Sequence, residues 1–167
     1  SAQKAVEAIA RGDIVVLTGD RLRGGDIDFC VAASLVTPEH INFMAKHGRG
    51  LICLTLTREH AVGLGIRLIN STGERQTGRP FGQSIEARKG VTTGISAADR
   101  AHTIRTAVAP GATSSDLVSP GHVFPLITRS GGVNTRMSAA EGSVNLCGLA
   151  GAGSAGVICS IMRDDGE

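Results

Sequence analysis

Apolar residues occur in short clusters separated by polar, Gly-rich stretches, and the spacing within each cluster predicts an element. Residues 3–11, apolar at Val6, Ala8, Ile9 and Ala10 and followed by Gly12, predict a short helix and its stop. Ile14-Val15-Val16-Leu17 predicts a buried strand, residues 18–26 a polar loop, and residues 29–33 a second strand. A helix opens at Thr37-Pro38-Glu39-His40: Thr37 is a natural N-cap, Pro38 takes the first helical position, and His40 stands where a capping box places Glu. Ile41, Phe43 and Met44 carry it to a break at Gly48. Residues 51–56 predict a central strand, and a short helix near residues 58–64 follows.

The second half reads the same way. Residues 70–81 lack periodicity and predict a long loop into a strand at 83–87. Ser96 begins a helix with Ala98, Ala101, Ile104, Arg105 and Val108 at helical spacing, and Ser115 caps a brief turn. Residues 123–126 and 157–160 predict strands, with a helix at 141–149 between them. Helices and strands alternate irregularly, which predicts an α+β fold with a mixed sheet and flanking helices. A chain of 167 residues, 41% apolar, suits one domain with one core, residues 1–167.

Composition removes several functions. Four Phe, no Tyr and no Trp leave an aliphatic core packed around 23 Gly, and no aromatic surface on which bases stack. Seventeen Lys and Arg against fifteen Asp and Glu give +2, too little for a polyanion partner, so nucleic acid is not expected. No apolar run approaches the roughly 20 residues that span a bilayer, and Ser1-Ala2-Gln3-Lys4 lacks a signal-peptide layout; a soluble, cytoplasmic protein without a membrane partner is expected. Cys30, Cys53, Cys147 and Cys159 lie far apart in apolar segments, as small buried hydrophobes do, without zinc-site pairing.

The Gly-rich segments, Gly131-Gly132 and residues 148–156, match neither phosphate-loop nor dinucleotide fingerprints. Residues 92–100, Thr92-Thr93-Gly94-Ile95-Ser96-Ala97-Ala98-Asp99-Arg100, place hydroxyls and N–H groups before a helix start, a place suited to anions. The same residues equally make an ordinary N-cap beside a surface Asp99–Arg100 pair.

Taken in order, several words form a constellation: Thr37-Pro38-Glu39, His47-Gly48-Arg49-Gly50-Leu51-Ile52-Cys53, residues 90–100, Pro120-Gly121-His122-Val123-Phe124-Pro125-Leu126, Gly131-Gly132-Val133, Leu149-Ala150-Gly151 and Ala155-Gly156-Val157-Ile158-Cys159. Together they resemble the 3,4-dihydroxy-2-butanone 4-phosphate synthase family over nearly the whole chain. The resemblance implies a homodimer with sites at its interface, acting on ribulose 5-phosphate to release formate and a four-carbon riboflavin precursor. It also implies a possible fusion to a GTP cyclohydrolase II domain. This chain stops at residue 167, about where such a domain ends.

That chemistry needs a base for a carbon-bound proton and a cation that holds two oxygens; hard Mg²⁺ or Mn²⁺ takes oxygen ligands, with imidazole in the Mn²⁺ case. The family loop Asp-Arg-Glu-Asn-Glu-Gly-Asp is here Asp20-Arg21-Leu22-Arg23-Gly24-Gly25-Asp26, so Leu22 and Gly24 replace two Glu. Its His-Thr-Glu word is Ala139-Ala140-Glu141, its Val-x-Cys-Glu word ends in Ser160, and Ser119 replaces the Arg before Pro-Gly-His. Upstream, family carboxylates are replaced by Leu17, Thr18 and Gly19.

Retained polar residues define the candidate site. His122, Asp26 and Cys53 are the expected catalytic residues; Arg21, Arg136, Thr93, Asp99 and Arg100 are expected to bind substrate; no metal ligand and no cofactor is expected. On spacing alone Cys53 is a core residue, His122 a core histidine, and Arg21 and Arg136 surface charges. His40, His60 and His102 are expected on the surface, and His47 in a structural role or at the pocket. The leading expectation is a diverged, metal-independent lyase or isomerase on a small polar or anionic substrate, suited to specialised biosynthesis. A non-catalytic domain binding a ligand or partner stands second, and the family's ordinary reaction third.

Overall fold

The computed structural model describes residues 1–19, 25–69 and 79–167. Six strands form one mixed sheet in the order β1-β2-β6-β3-β5-β4. They are β1 Val15–Thr18, β2 Ile27–Ala32, β3 Arg49–Leu56, β4 Ile85–Ala87, β5 Leu117–Ile127 and β6 Gly156–Ile161. Among the described residues, only β3 and β5 pair in parallel, and the other neighbouring strands are antiparallel. The α+β expectation therefore holds, and the strand expected to be central, β3, lies between β6 and β5.

Side chains alternate across each strand, so the register sorts the sheet into two faces. Val31, Val157, Ile52, Leu54, Leu56 and Val123 pack with helices α2 (Pro38–Phe43), α3 (Arg58–Gly63) and α4 (Ala97–Val108). Cys30, Ala32, Ile158, Cys53 and Leu126 pack with α1 (Ala2–Ala10) and α5 (Ala139–Leu149). The fully buried aliphatic chains, such as Ile104, Leu54 and Ile158, each contribute about 1.5–3 kcal/mol by leaving water. All four cysteines are buried thiols, as their apolar settings predict.

The local signals explain the helix starts. Thr37 Oγ1 accepts from the His40 N–H at 3.2 Å, and the Thr37 N–H donates to His40 Nδ1 at 3.1 Å, so histidine completes the capping box in place of Glu. Beyond Phe43 the helix widens into a π-helical turn, Met44–Gly48, which ends at Arg49 with φ 69°.

Two expectations need correction. Ser115 lies inside a short 3₁₀ turn, Ser114–Asp116; the cap is Thr113, whose hydroxyl accepts from the Ser115 N–H and whose own N–H donates to Asp116. The strand expected at 123–126 runs from Leu117 to Ile127, because the Ser-Pro-Gly word, which reads as a turn, is held in the strand. Gly121 permits this: a Cβ there would lie 2.6 Å from the Glu86 nitrogen and still closer to the Ile85 carbonyl.

Candidate functional site

A cavity of about 240 Å³ opens at the start of helix α5. Its wall includes Gly19, Gly25 and Asp26 from one segment and Arg136, Met137, Ser138, Ala139 and Ala140 from another. The two segments where the chain departs from the family words thus meet in space. Ser138 precedes α5, so the first turn of an eleven-residue helix forms part of the wall, with its positive dipole end toward the cavity. Arg21 and Leu22 lie outside the described residues.

Arg79 is the cavity residue that pattern reading missed. Its Nη2 donates to Asp26 Oδ2 at 2.8 Å and Ser160 Oγ at 3.1 Å, and lies 3.4 Å from each Asp28 oxygen. Asp28 is fully buried, and Ser160 Oγ donates to it at 3.0 Å. Burial raises the Asp28 carboxyl above its ordinary range, while Arg79, Ser160 and their hydrogen bonds pull it back. Alternation offered the only sequence signal: Asp28 sits on the same strand face as Cys30 and Ala32, where a lone carboxylate needs a buried partner.

Cys53 is buried with its thiol toward the Leu51 carbonyl, and burial pushes it up to about 12. A thiol so held is protonated near neutrality, which does not suit the acid/base role expected of it.

His122 lies further along β5, next to the register shift of the β4–β5 pair. Its Nδ1 is 2.7 Å from Glu86 Oε2, and its side chain is 42% exposed while that of Glu86 is only 11% exposed. A carboxylate at Nδ1 favours the proton there, leaving Nε2 to accept one. Glu86 Oε1 is buried with no partner among the described residues. At about 3.4 Å per residue, His122 stands about 14 Å along β5 from Leu126 in the cavity wall.

Residues 92–100 answer the anion question differently. The Asp99 carboxylate accepts from the Thr92 N–H at 3.0 Å, the Thr92 hydroxyl at 2.9 Å and the Gly94 N–H at 2.9 Å, while Ser96 caps α4 by accepting from the Asp99 N–H. The chain's own Asp99 fills the anion place, and it is buried rather than a surface ion pair. Thr93 is exposed beside it. Arg100 is half-buried, its Nε unpartnered among the described residues, and burial lowers its pKa.

The Gly94 N–H, then the Thr92 hydroxyl, hold the Asp99 carboxyl below its ordinary 3.8. Its stabilisation is therefore complete above that value and is lost as pH falls through the lowered one. Asp99→Asn should lower the melting temperature at neutral pH and shrink the difference between neutral and acidic melts. Thermal melts from pH 7 to pH 3 check this, and an unchanged melting temperature at pH 7 counts against it.

The histidines expected on the surface are each half-buried and locally engaged: His40 in its capping box, His60 Nε2 with the Ala107 carbonyl, and His102 Nε2 with the Lys89 carbonyl. His47 is exposed and tilted against Phe43, away from the described cavity wall.

A mixed six-stranded sheet with an Arg-lined cavity at the start of its last helix defines a class already known in solved structures. A two-domain 3,4-dihydroxy-2-butanone 4-phosphate synthase from A. baumannii superposes with a TM-score of 0.94 at 43% identity, covering 99% of this chain and 48% of that one. A synthase of the same name solved with two magnesium ions superposes at 0.93 with 38% identity, covering 98% and 76%. The family model for 3,4-dihydroxy-2-butanone 4-phosphate synthase matches residues 3–167, and the chain belongs to that family.

Among curated relatives, the synthase of Pseudomonas aeruginosa is 46% identical over 97% of this chain and 44% of its own length. Riboflavin biosynthesis protein RibBA of Aquifex aeolicus is 50% identical over 98% of this chain and 41% of its length. The chain thus spans less than half the length of these two relatives. No helix among the described residues is long and apolar enough to cross a membrane.

Because one relative was solved with magnesium, the donors here must be tested against that ion. Ala139 and Ala140 offer only hydrocarbon side chains at the cavity, and Asp26 and Asp28 are engaged by Arg79. Glu141 is buried, accepting from the Arg129 N–H at 3.1 Å and from the Ser138 hydroxyl. Among the described residues no three His, Cys, Asp or Glu side chains gather as metal ligands. This described donor set does not fit a hard divalent cation.

Proposed function

We propose that the chain enolises a small ketose phosphate, ribulose 5-phosphate foremost, through His122 backed by Glu86. The observation that carries this is the 2.7 Å His122–Glu86 pair, half-open to solvent, on strand β5, whose Leu126 lines the Arg-bearing cavity. The fixed Nδ1 proton leaves Nε2 to take a carbon-bound proton and return it, which is the general-base role. Arg136 and the start of α5 supply cationic and N–H groups for the phosphate. Asp26, held by Arg79, shapes the cavity wall; buried Asp99 supports the loop before α4, with Arg100 half-buried and Thr93 exposed beside it.

Enolisation is common to two overall reactions. Relatives 46–50% identical are named for the synthase or for riboflavin biosynthesis, and that likeness supports the ordinary outcome, 3,4-dihydroxy-2-butanone 4-phosphate plus formate, better than a changed one. The donor set described above instead supports proton transfer without a divalent ion, in a lyase or isomerase of altered outcome. A homodimer with sites at its interface belongs to the same reading, supported by the stretch of β5 that separates His122 from the cavity wall within one chain. A covalently joined GTP cyclohydrolase II domain is consistent with the greater length of the relatives.

One incubation tests these readings: ribulose 5-phosphate in D₂O with the protein, in Mg²⁺ or in EDTA, followed for deuterium entry and formate. Deuterium entry is the expected result. Formate that requires Mg²⁺ identifies the ordinary reaction and overturns the metal-independent one; formate or isomer in EDTA does the reverse. No deuterium entry with folded protein in either buffer contradicts enolisation.

A further inference from the structure

We propose that Arg79 is the built-in cation of the cavity, its guanidinium holding the Asp26, Asp28 and Ser160 oxygens that would otherwise be open to a divalent ion. This deepens the enolisation reading, yet its test reads metal binding and involves no turnover.

The geometry is specific. A single guanidinium nitrogen lies within 2.8–3.4 Å of Asp26, both oxygens of Asp28 and Ser160 Oγ. Asp28 has no solvent exposure, and Arg79 retains 27% of its side-chain exposure and lines the cavity beside Pro80 and Leu126. A buried carboxylate beside a second carboxylate demands a positive partner. Two partners are chemically possible, an exchangeable metal ion or a fixed side chain, and here the side chain is in place.

A guanidinium differs from Mg²⁺ in ways that matter to a substrate. It stays charged throughout the working pH range, cannot be removed by chelators, and offers directional N–H donors rather than open coordination positions. The Arg79 guanidinium lines the cavity, where a planar fork of N–H donors suits an oxyanion. Ala139 and Ala140 across the cavity supply no competing ligand.

The test uses Mn²⁺, whose free ion gives a strong electron paramagnetic resonance spectrum. Wild-type protein and Arg79→Lys, which keeps the charge, should leave the free-Mn²⁺ signal unchanged apart from weak sites insensitive to Asp28→Asn. Arg79→Ser, which removes the charge and opens space, should take up about one additional Mn²⁺ per chain, and adding Asp28→Asn should abolish that uptake. A wild-type Mn²⁺ site that Asp28→Asn removes overturns the proposal, as does folded Arg79→Ser with no additional uptake. Where Arg79→Ser does not fold, the wild-type comparison with Asp28→Asn decides alone: an Asp28-dependent site overturns the proposal, and its absence supports it.

Discussion

His122→Ala should lower the rate of substrate proton exchange by about 10²–10⁴-fold, the range that a positioned acid or base supplies. The effect should fall on chemistry rather than folding, because the ring is 42% exposed and, among the described residues, its hydrogen-bond partner is Glu86. Glu86→Gln should act through the same step. An amide can donate to Nδ1 and so favour the proton on Nε2, the wrong tautomer for a base, as in the Asp-to-Asn change of a serine-protease triad. Its loss should appear in kcat, with KM little changed, whereas a merely structural change would shift the melting temperature without that split. Parallel kinetics and thermal melts of the two variants check this; equal exchange by wild type and His122→Ala would remove His122 from the mechanism.

Gly121→Ala should be the most damaging small substitution, destabilising the chain by on the order of 3 kcal/mol. The new methyl would press on the Ile85 carbonyl and the Glu86 nitrogen, which are backbone atoms of the adjacent strand β4 and cannot swing aside. The β4–β5 register already shifts between Ile85 and Glu86, so the close approach of Gly121 belongs to that irregularity. Forcing the strands apart also withdraws Glu86 from His122. Stability and exchange should therefore fall together, unlike in His122→Ala. Chemical denaturation with an exchange assay on the folded fraction distinguishes the two, and wild-type stability for Gly121→Ala would show that β4 yields without cost.

Why the elements were legible and part of the site was not follows from the distance over which each is determined. Caps are local: Thr37, Ser96 and the apolar spacing around Ile104 announce α2 and α4 within a few residues. The β-rich apolar run of residues 51–56 marks a central strand, and β3 lies between β6 and β5. The Pro-Gly-His word hid six residues of β5, because Pro and Gly ordinarily punctuate and only the β4 backbone reveals why Gly121 stays extended.

The meeting of residues 19–26 with 136–140 was legible through family words rather than periodicity, and the cavity wall contains the described residues of both. Arg79 was not legible, since it falls in a stretch of sequence without periodicity and its partners, Asp26, Asp28 and Ser160, are 51 to 81 positions away in the chain. Asp99 is legible as an acid in the first turn of α4, whereas its bonds to Thr92 and Gly94 depend on how the preceding loop folds back.

The central claim is that this cavity and His122 enolise a ketose phosphate, and deuterium entry at the carbon beside the carbonyl tests it most directly. Proton NMR of ribulose 5-phosphate in D₂O, with wild-type protein in EDTA, should show loss of that carbon-bound proton signal, slowed at least about 10²-fold by His122→Ala. A signal that persists with folded wild-type protein in both EDTA and Mg²⁺, or one lost equally fast with His122→Ala, would contradict it.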